Sequence, residues 1–257
     1  WLYPGGGWVA PAALSAHWLQ QPGIACHFHS TVRQLQHGPA GWRLLGDAGQ
    51  VLAEVDAVVL CNAADAQRLA GGLPWPLQQQ RGQTTVLPAG LPGASALPRP
   101  LADGGYALRL TDGRLLCGAT AQQGDADATL RVADHLHNLA TLERLTGWSP
   151  AVDPARLEGR VGWRLLADDR LPLLGPVPDM PACGGLSRRP DQPRRVPRQR
   201  GLWVFTALGS RGITQAPLAA DVLASWLTGD PVPLPAALVD ALDPARFVSR
   251  AVRRGGG

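Results

Sequence analysis

The chain of 257 residues has no lysine: all 24 of its basic side chains are arginine, against 20 acidic ones, for a formal net charge of +4. GC-rich codon usage is enough to produce such a bias. Every cation is nonetheless permanently charged and shaped for bidentate contact with a carboxylate or phosphate. Long hydrophobic runs are missing too. No segment approaches the roughly 18 charge-free apolar residues that a membrane-spanning helix needs. The opening Trp1-Leu2-Tyr3-Pro4 has neither the basic nor the apolar region of a secretory signal. The sole methionine is Met180, far from the start, so the chain reads as the later part of a longer polypeptide. Cysteine is scarce: Cys26, Cys61, Cys117 and Cys183 are scattered, with no Cys-x-x-Cys pair. That excludes a disulfide framework and points to a reducing cytoplasm. Three of them lie in apolar strand-like runs, where a thiol is expected to be buried as a small hydrophobe. His27 and His29, two apart on a predicted strand, share a face; His135 and His137, two apart on a predicted helix, do not. Neither pair has a third partner at zinc-site spacing, so no metal centre is expected.

What is present is a globular, turn-rich composition: 45% hydrophobic residues, 31 glycines and 24 prolines without a collagen-like period. Pro11 opens a short helix over 12–19, which Gln21-Pro22-Gly23 ends. Ile24 to Phe28 reads as a strand that Thr31 to Leu35 extends or follows. A hairpin is expected around Gly46-Asp47. Ala57 to Cys61 is a short apolar run typical of a strand buried on both faces, followed at once by Asn62-Ala63-Ala64-Asp65 and a helical segment. Gln83 to Leu87 is strand-like. Thr111-Asp112-Gly113 marks a second hairpin between Tyr106–Leu110 and Arg114–Cys117. Leu130, Ala133, Leu136, Leu139 and Leu142 recur at helical spacing. Val161 to Leu166 is a further strand. Residues 178–200, rich in Pro and Arg, read as an exposed loop. Leu202 to Leu208 is a second fully apolar strand, which runs through Gly209-Ser210-Arg211-Gly212-Ile213-Thr214 into a helix from about Ala216 to Leu227, ended by Gly229.

Two features carry chemistry. In the strand, glycine turn and helix at 202–228, the glycines let a ligand approach the backbone, and the free N–H groups at the helix start suit an anion. A tight strand-to-helix connection with no ligand accounts for the same residues. Arg164, at the end of an apolar strand before Asp168-Asp169, is placed either to bind a carboxylate or to pair with those aspartates as an edge-strand arginine. No Gly-x-Gly-x-x-Gly dinucleotide fingerprint occurs.

Taken together the motifs resemble the D-amino-acid-oxidase-like family of FAD enzymes, which includes glycine and sarcosine oxidases. Arg164 stands five residues before Asp169, eight before Pro172 and eleven before Gly175, as in that family. Tyr106 on a strand leading to Gly118-Ala119-Thr120, and the turn Gly209 to Pro217, match two further motifs. Within the family, Tyr3 to Val9, Arg81-Gly82-Gln83, Phe205 to Gly212 and Asp240 to Phe247 are similar to the oxidase half of bifunctional bacterial tRNA-modifying enzymes. The resemblance covers nearly the whole chain except 178–200.

The resemblance implies an α/β (α+β) fold, with part of a βαβ FAD-binding domain and an antiparallel-sheet substrate domain. Residues 1–72 are expected to belong to the former, 73–165 mainly to the substrate domain, and 166–257 again to the FAD-binding domain. It implies FAD held by Gly209, Ser210, Arg211, Gly212, Ile213 and Thr214, with Val32 meeting the adenine through its backbone and Asn62-Ala63 passing the cofactor. The substrate side would be Arg164, clamping a carboxylate, and Tyr106, donating a second hydrogen bond. The implied reaction oxidises carboxymethylaminomethyl-uridine at the tRNA wobble position to aminomethyl-uridine and glyoxylate, with dioxygen as final acceptor. No protein acid or base is required, because the flavin carries the chemistry. Methylation with S-adenosylmethionine belongs to an N-terminal half outside these residues. The family's first βαβ unit would likewise precede Trp1, so these residues alone are expected to bind FAD poorly.

Arg188, Arg189, Arg194, Arg195, Arg198 and Arg200 are expected to contact tRNA phosphates in a salt-sensitive way; a solvated basic loop is the plainer reading. Two other functions compete: a free glycine- or sarcosine-type oxidase, and a non-catalytic basic RNA-binding remnant.

Overall fold

A computed structural model describes residues 1–94, 97–186 and 190–254. Helix α1 (Pro11–Leu19) begins at its proline, whose missing N–H costs nothing in a first turn. Strands β1 (Gln34–Gly38), β2 (Gly41–Leu45) and β3 (Val51–Val55) form an antiparallel meander. Strand β4 (Val58–Leu60) leads through a 3-10 turn at Ala63–Asp65 into α2 (Ala66–Leu69). Then come β5 (Leu77–Leu87), β6 (Leu101–Ala102), β7 (Tyr106–Arg109), β8 (Leu115–Gly118), β9 (Gln122–Gln123) and α3 (Val132–Thr146). The chain continues with β10 (Glu158–Ala167), β11 (Leu173–Pro178), α4 (Met180–Gly184) and β12 (Arg198–Thr206). It closes with α5 (Gly212–Thr228), α6 (Ala236–Leu242) and α7 (Arg246–Arg253).

These elements group into two compact units. One comprises 1–24 and 79–164, the other 25–78 and 165–257. The first is built on an antiparallel sheet in the order β10-β5-β8-β7-β6, with β9 pairing β5. Its core packs Leu87, Ala107, Leu115 and Cys117 of the sheet against Leu142 of α3. The second holds the meander and a three-stranded sheet in the order β11-β12-β4, in which β12 runs parallel to β4 with Val204 opposite Leu60. Val58, Leu60, Leu202 and Val204 are all buried there, so the two apolar runs read from the sequence are neighbouring parallel strands, which need cover on both faces. Gly229, at φ +80°, ends α5 as a left-handed cap.

Four expectations are corrected. Ile24 to Phe28 is exposed coil, not a strand. His29, at φ +55°, lies in a turn, and the pairing that orders this region starts at Gln34, opposite Leu45. Cys26 and Cys61 are exposed, while Cys117 and Cys183 are buried; Cys61 falls just past the end of β4. In α3 the hydrophobic spacing misleads: Leu130 and Leu136 are exposed, and Asp134, His135 and Asn138 are buried with Leu142. The sheet supplies partners for most of their polar atoms, the Asn138 side-chain oxygen excepted. Asp134 accepts from Arg81 at 2.6 Å, His135 Nδ1 meets Thr85 Oγ1 at 2.9 Å, and Asn138 donates to the Gln83 carbonyl at 2.9 Å. Lastly, 178–200 is not one exposed loop. It holds α4, a 3-10 turn at Pro193–Arg195 and the start of β12, with Cys183, Pro190, Pro193 and Val196 buried. Arg188 and Arg189 lie outside the described residues.

Candidate functional site

In the unit containing the three-stranded sheet, the carboxyl ends of β4 and β12 lie side by side, the position at which open α/β sheets bind ligands. The turn after β4 carries Asn62 and Ala63, both exposed. The turn after β12 carries Gly209, Ser210 and Arg211, and α5 starts with Gly212, Ile213 and Thr214. Thr206 joins the two turns by donating to the Ala63 carbonyl at 3.3 Å. Ala63 and Ala207 both have positive φ, +53° and +60°, an uncommon state for a residue with a side chain and one that clusters at ligand-binding turns.

The glycines have different reasons. Gly209 sits at φ +55°, which disfavours a side chain outright. Gly212 has helical φ, and a Cβ there would meet nothing nearer than Leu208 at 3.6 Å. The protein's own packing therefore leaves open space above it. The first turn of α5 has no acidic residue and no side-chain cap, so its N–H groups and positive dipole end remain available to an electron-rich group. Val32 adjoins through Arg68, whose guanidinium bonds the Val32 carbonyl at 3.4 Å, the Arg33 carbonyl and Asp65 at 2.7 Å. Arg68 and Thr206 thus tie the separate segments together. Sequence reasoning missed both, since nothing local marks which distant carbonyl a side chain will find.

In the other unit, Arg164 on β10 and Tyr106 on β7 are half-buried. Asp168 and Asp169, the partners that spacing offered Arg164, are engaged elsewhere. Gln78 donates to Asp168 at 2.9 Å, and Arg246 binds Asp169 bidentately at 2.8 and 3.0 Å. Arg164 forms no ion pair among the described residues; its one hydrogen bond is a long 3.5 Å contact to the Thr120 carbonyl. A half-buried guanidinium without a carboxylate is a place for one to bind. Gly82 makes the room: a Cβ there would lie 2.9 Å from the Thr120 oxygen and 3.2 Å from Arg164 Nη1. Burial pushes the Tyr106 hydroxyl's pKa up, against the opposing field of Arg164, so Tyr106 stays protonated and able to donate. Thr120 is itself fixed, exchanging hydrogen bonds with Gln83 at 2.9 and 3.2 Å. Gly82 and Thr120 join the predicted pair as residues that set the cation's place. The Arg81-Gly82-Gln83 motif was their trace in the sequence.

Among the described residues no group of three or more His, Cys, Asp or Glu could hold a metal ion, and no helix is long and apolar enough to cross a membrane. The chain is 48% identical to the tRNA 5-methylaminomethyl-2-thiouridine biosynthesis bifunctional protein MnmC of Methylibium petroleiphilum, over 96% of this chain and 39% of that protein. It is 42% identical to the protein of the same name from Burkholderia thailandensis, over 99% of this chain and 40% of that one. The chain therefore spans about two fifths of the length of these relatives. Among solved structures, glycine oxidase from Geobacillus kaustophilus shares the fold with a TM-score of 0.69 at 22% identity, over 91% of this chain and 57% of that one. Iminodiacetate oxidase from a Chelativorans species does so with a TM-score of 0.62 at 24% identity, over 84% and 52%. Residues 1–226 match the family described as DAO, FAD dependent oxidoreductase, and with this mixed α/β fold and its glycine turn at a helix start the chain belongs to that family of flavin enzymes.

Proposed function

We propose that this chain is the oxidase portion of a bifunctional tRNA-modifying enzyme, removing the carboxymethyl group from carboxymethylaminomethyl-uridine at the wobble position. The observation that carries the reading is Arg164: a half-buried guanidinium with no carboxylate partner among the described residues, in the electrostatic reach of a protonated Tyr106. An N-substituted glycine presents the carboxylate this cation lacks. The identity to two MnmC proteins supports the tRNA-borne form of that substrate.

In this reading the unit holding β5 to β10 binds the substrate arm. Arg164 clamps the carboxylate and Tyr106 donates to it, which fixes the methylene carbon in one orientation. The other unit would hold FAD, through the backbone N–H groups of Gly209 to Thr214 and through Asn62, Ala63 and Val32. FAD held there would supply the two-electron oxidation of the CH–NH bond. Water then completes the cleavage, giving glyoxylate and the aminomethyl-uridine. No protein side chain need act as acid or base. The compartment that fits this work is the cytoplasm. Of the described arginines in 188–200, three are engaged: Arg194 with Asp240, Arg195 with Asp191 and Arg198 with Asp243. Phosphate contact from this segment is therefore left to Arg200, which is exposed and forms no ion pair among the described residues, and to the N–H groups that Arg194 does not direct at Asp240.

The test is glyoxylate release from tRNA carrying carboxymethylaminomethyl-uridine by the FAD-loaded, full-length enzyme. Arg164→Ala should lower kcat/KM about 10- to 150-fold, the worth of a charge-assisted hydrogen bond of roughly 1.5–3 kcal/mol. Peroxide production from free glycine at a comparable kcat/KM would instead favour an amino-acid oxidase. RNA binding with no turnover in the parent enzyme would favour a non-catalytic module.

A further inference from the structure

We infer that a depression beside the C-terminal helix α7 is a binding site for a phosphodiester of an RNA backbone. The inference rests on the RNA-substrate reading above. The depression, about 380 Å³, is lined by Arg194 from the 3-10 turn before β12, by Asp240 of α6, and by Arg246, Arg250 and Arg253 of α7. All of these belong to one compact unit.

The charge does not balance. Arg246 is 1% exposed and spent on Asp169 and on the carbonyls of Leu171, Pro172 and Leu242. Arg250 shares Asp169, and Arg194 reaches Asp240 at 2.9 Å. Two carboxylates thus answer four guanidinium groups. Arg253 is exposed and forms no ion pair among the described residues. Arg194 and Arg250 each retain N–H groups directed to no carboxylate, since each is bound through a single nitrogen.

Helix electrostatics explain part of this arrangement. Basic residues in the last turn of α7 oppose the negative end of its dipole. That argument does not reach Arg194, which a segment some fifty residues earlier brings to the same depression. Arginines converging from two segments on a concave surface, three of them pinned in place by aspartates, make a prepared anion site. Planar, permanently charged guanidinium groups suit phosphate oxygens. The open form suits a chain passing over the surface better than a small enclosed anion.

The test measures binding of an anticodon stem-loop RNA to this chain as a function of salt. Arg253→Ala and Arg194→Ala should each flatten the slope of log K against log salt by about 0.7–0.9, the signature of one lost phosphate contact. Arg253→Lys should keep the slope. Arg43→Ala, which removes an exposed arginine paired with Glu54 on the meander, should leave it unchanged. Unaltered far-UV circular dichroism shows that the variants fold. If the parent binds RNA and every variant keeps its slope, the depression is overturned while the oxidase reading stands. If the parent binds no RNA at low salt, the depression fails and the chain loses its direct role in holding tRNA, though turnover by the full-length enzyme can still be measured. Inorganic phosphate at matched ionic strength should compete no better than chloride. Selective displacement by phosphate would mean a discrete anion and would overturn the backbone assignment.

Discussion

At the residue scale, two glycines, one in each unit, define what its candidate site can hold. Gly82 leaves the space in which the Arg164 guanidinium lies, and a methyl group there would press on a backbone oxygen 2.9 Å away. Gly82→Ala should therefore displace Arg164 and weaken binding of an N-carboxymethyl amine by tenfold or more, an effect on the order of 1.4 kcal/mol. Titration of a carboxylate ligand against the variant checks this, and unchanged affinity would show that Arg164 is not held by this packing. Gly212 should behave differently. Its Cβ would meet only ordinary contacts within the protein, so Gly212→Ala should leave thermal stability nearly unchanged while lowering affinity for FAD in the full-length enzyme. Equal FAD affinity in parent and variant would remove Gly212 from the cofactor's surroundings. The spacing of Arg164 to Asp169, Pro172 and Gly175 was readable in the sequence, but that it forms no ion pair among the described residues was not. Spacing favoured Asp168 or Asp169 as its partner; instead Asp169 is taken by Arg246, 77 residues further on.

The element scale shows where periodicity works and where it fails. Strands β4 and β12 were readable because strands covered on both faces must be apolar throughout. Helix α3 was readable as a helix, but its buried face was not. It docks on the sheet through Asp134, His135 and Asn138, whose burial depends on Arg81, Gln83 and Thr85 of β5. A hydrophobic-spacing argument has no means of seeing a polar face whose partners lie across the sheet. This docking makes α3 pH-sensitive. Burial lowers the pKa of His135, with the Asp134 charge opposing. A depressed folded-state value means that stability is fully present above the unfolded value, near 6.5, and is lost as pH falls through the folded one. Amide exchange in α3 should accordingly speed up as pH drops below about 6 once intrinsic rates are corrected, and His135→Gln should blunt the change. An α3 protected equally at pH 7 and pH 5 would refute the assignment.

For the whole molecule, the absence of lysine has a consequence for stability. No cation in any ion pair titrates below about 12, so alkaline loss of stability must come from neutral groups. Burial pushes the Cys117 thiol up to about 12. A raised folded value means that its contribution is intact below the unfolded value and lost as pH rises toward the folded one. Urea midpoints should therefore fall from about pH 9 upward, and Cys117→Ala should remove much of that limb. On the acid side, burial would raise the Asp169 pKa, but hydrogen bonds from Arg246 and Arg250 outweigh it and hold the value at about 2. Its contribution, on the order of 1–2 kcal/mol after allowance for the side chain's 20% exposure, is present above about pH 4 and lost as pH falls through 2. Arg246→Ala should cost about 3–5 kcal/mol at neutral pH, because it strips a largely buried carboxylate of its bidentate partner. A loss below 1 kcal/mol by urea titration would show that Arg250 suffices. The chain by itself determined which short segments form strands and helices, because periodicity, proline and glycine act over a few residues. It also carried the motif order that identifies the flavin-enzyme family. Only the tertiary structure decided that β4 and β12 are parallel neighbours, that α3 buries a polar face, that Arg164 has no carboxylate partner among the described residues, and that the arginines of 194–198 turn to aspartates. Each of those outcomes joins residues tens to more than a hundred positions apart, and such pairings are chosen by competition for burial and charge across the whole fold rather than by any local pattern.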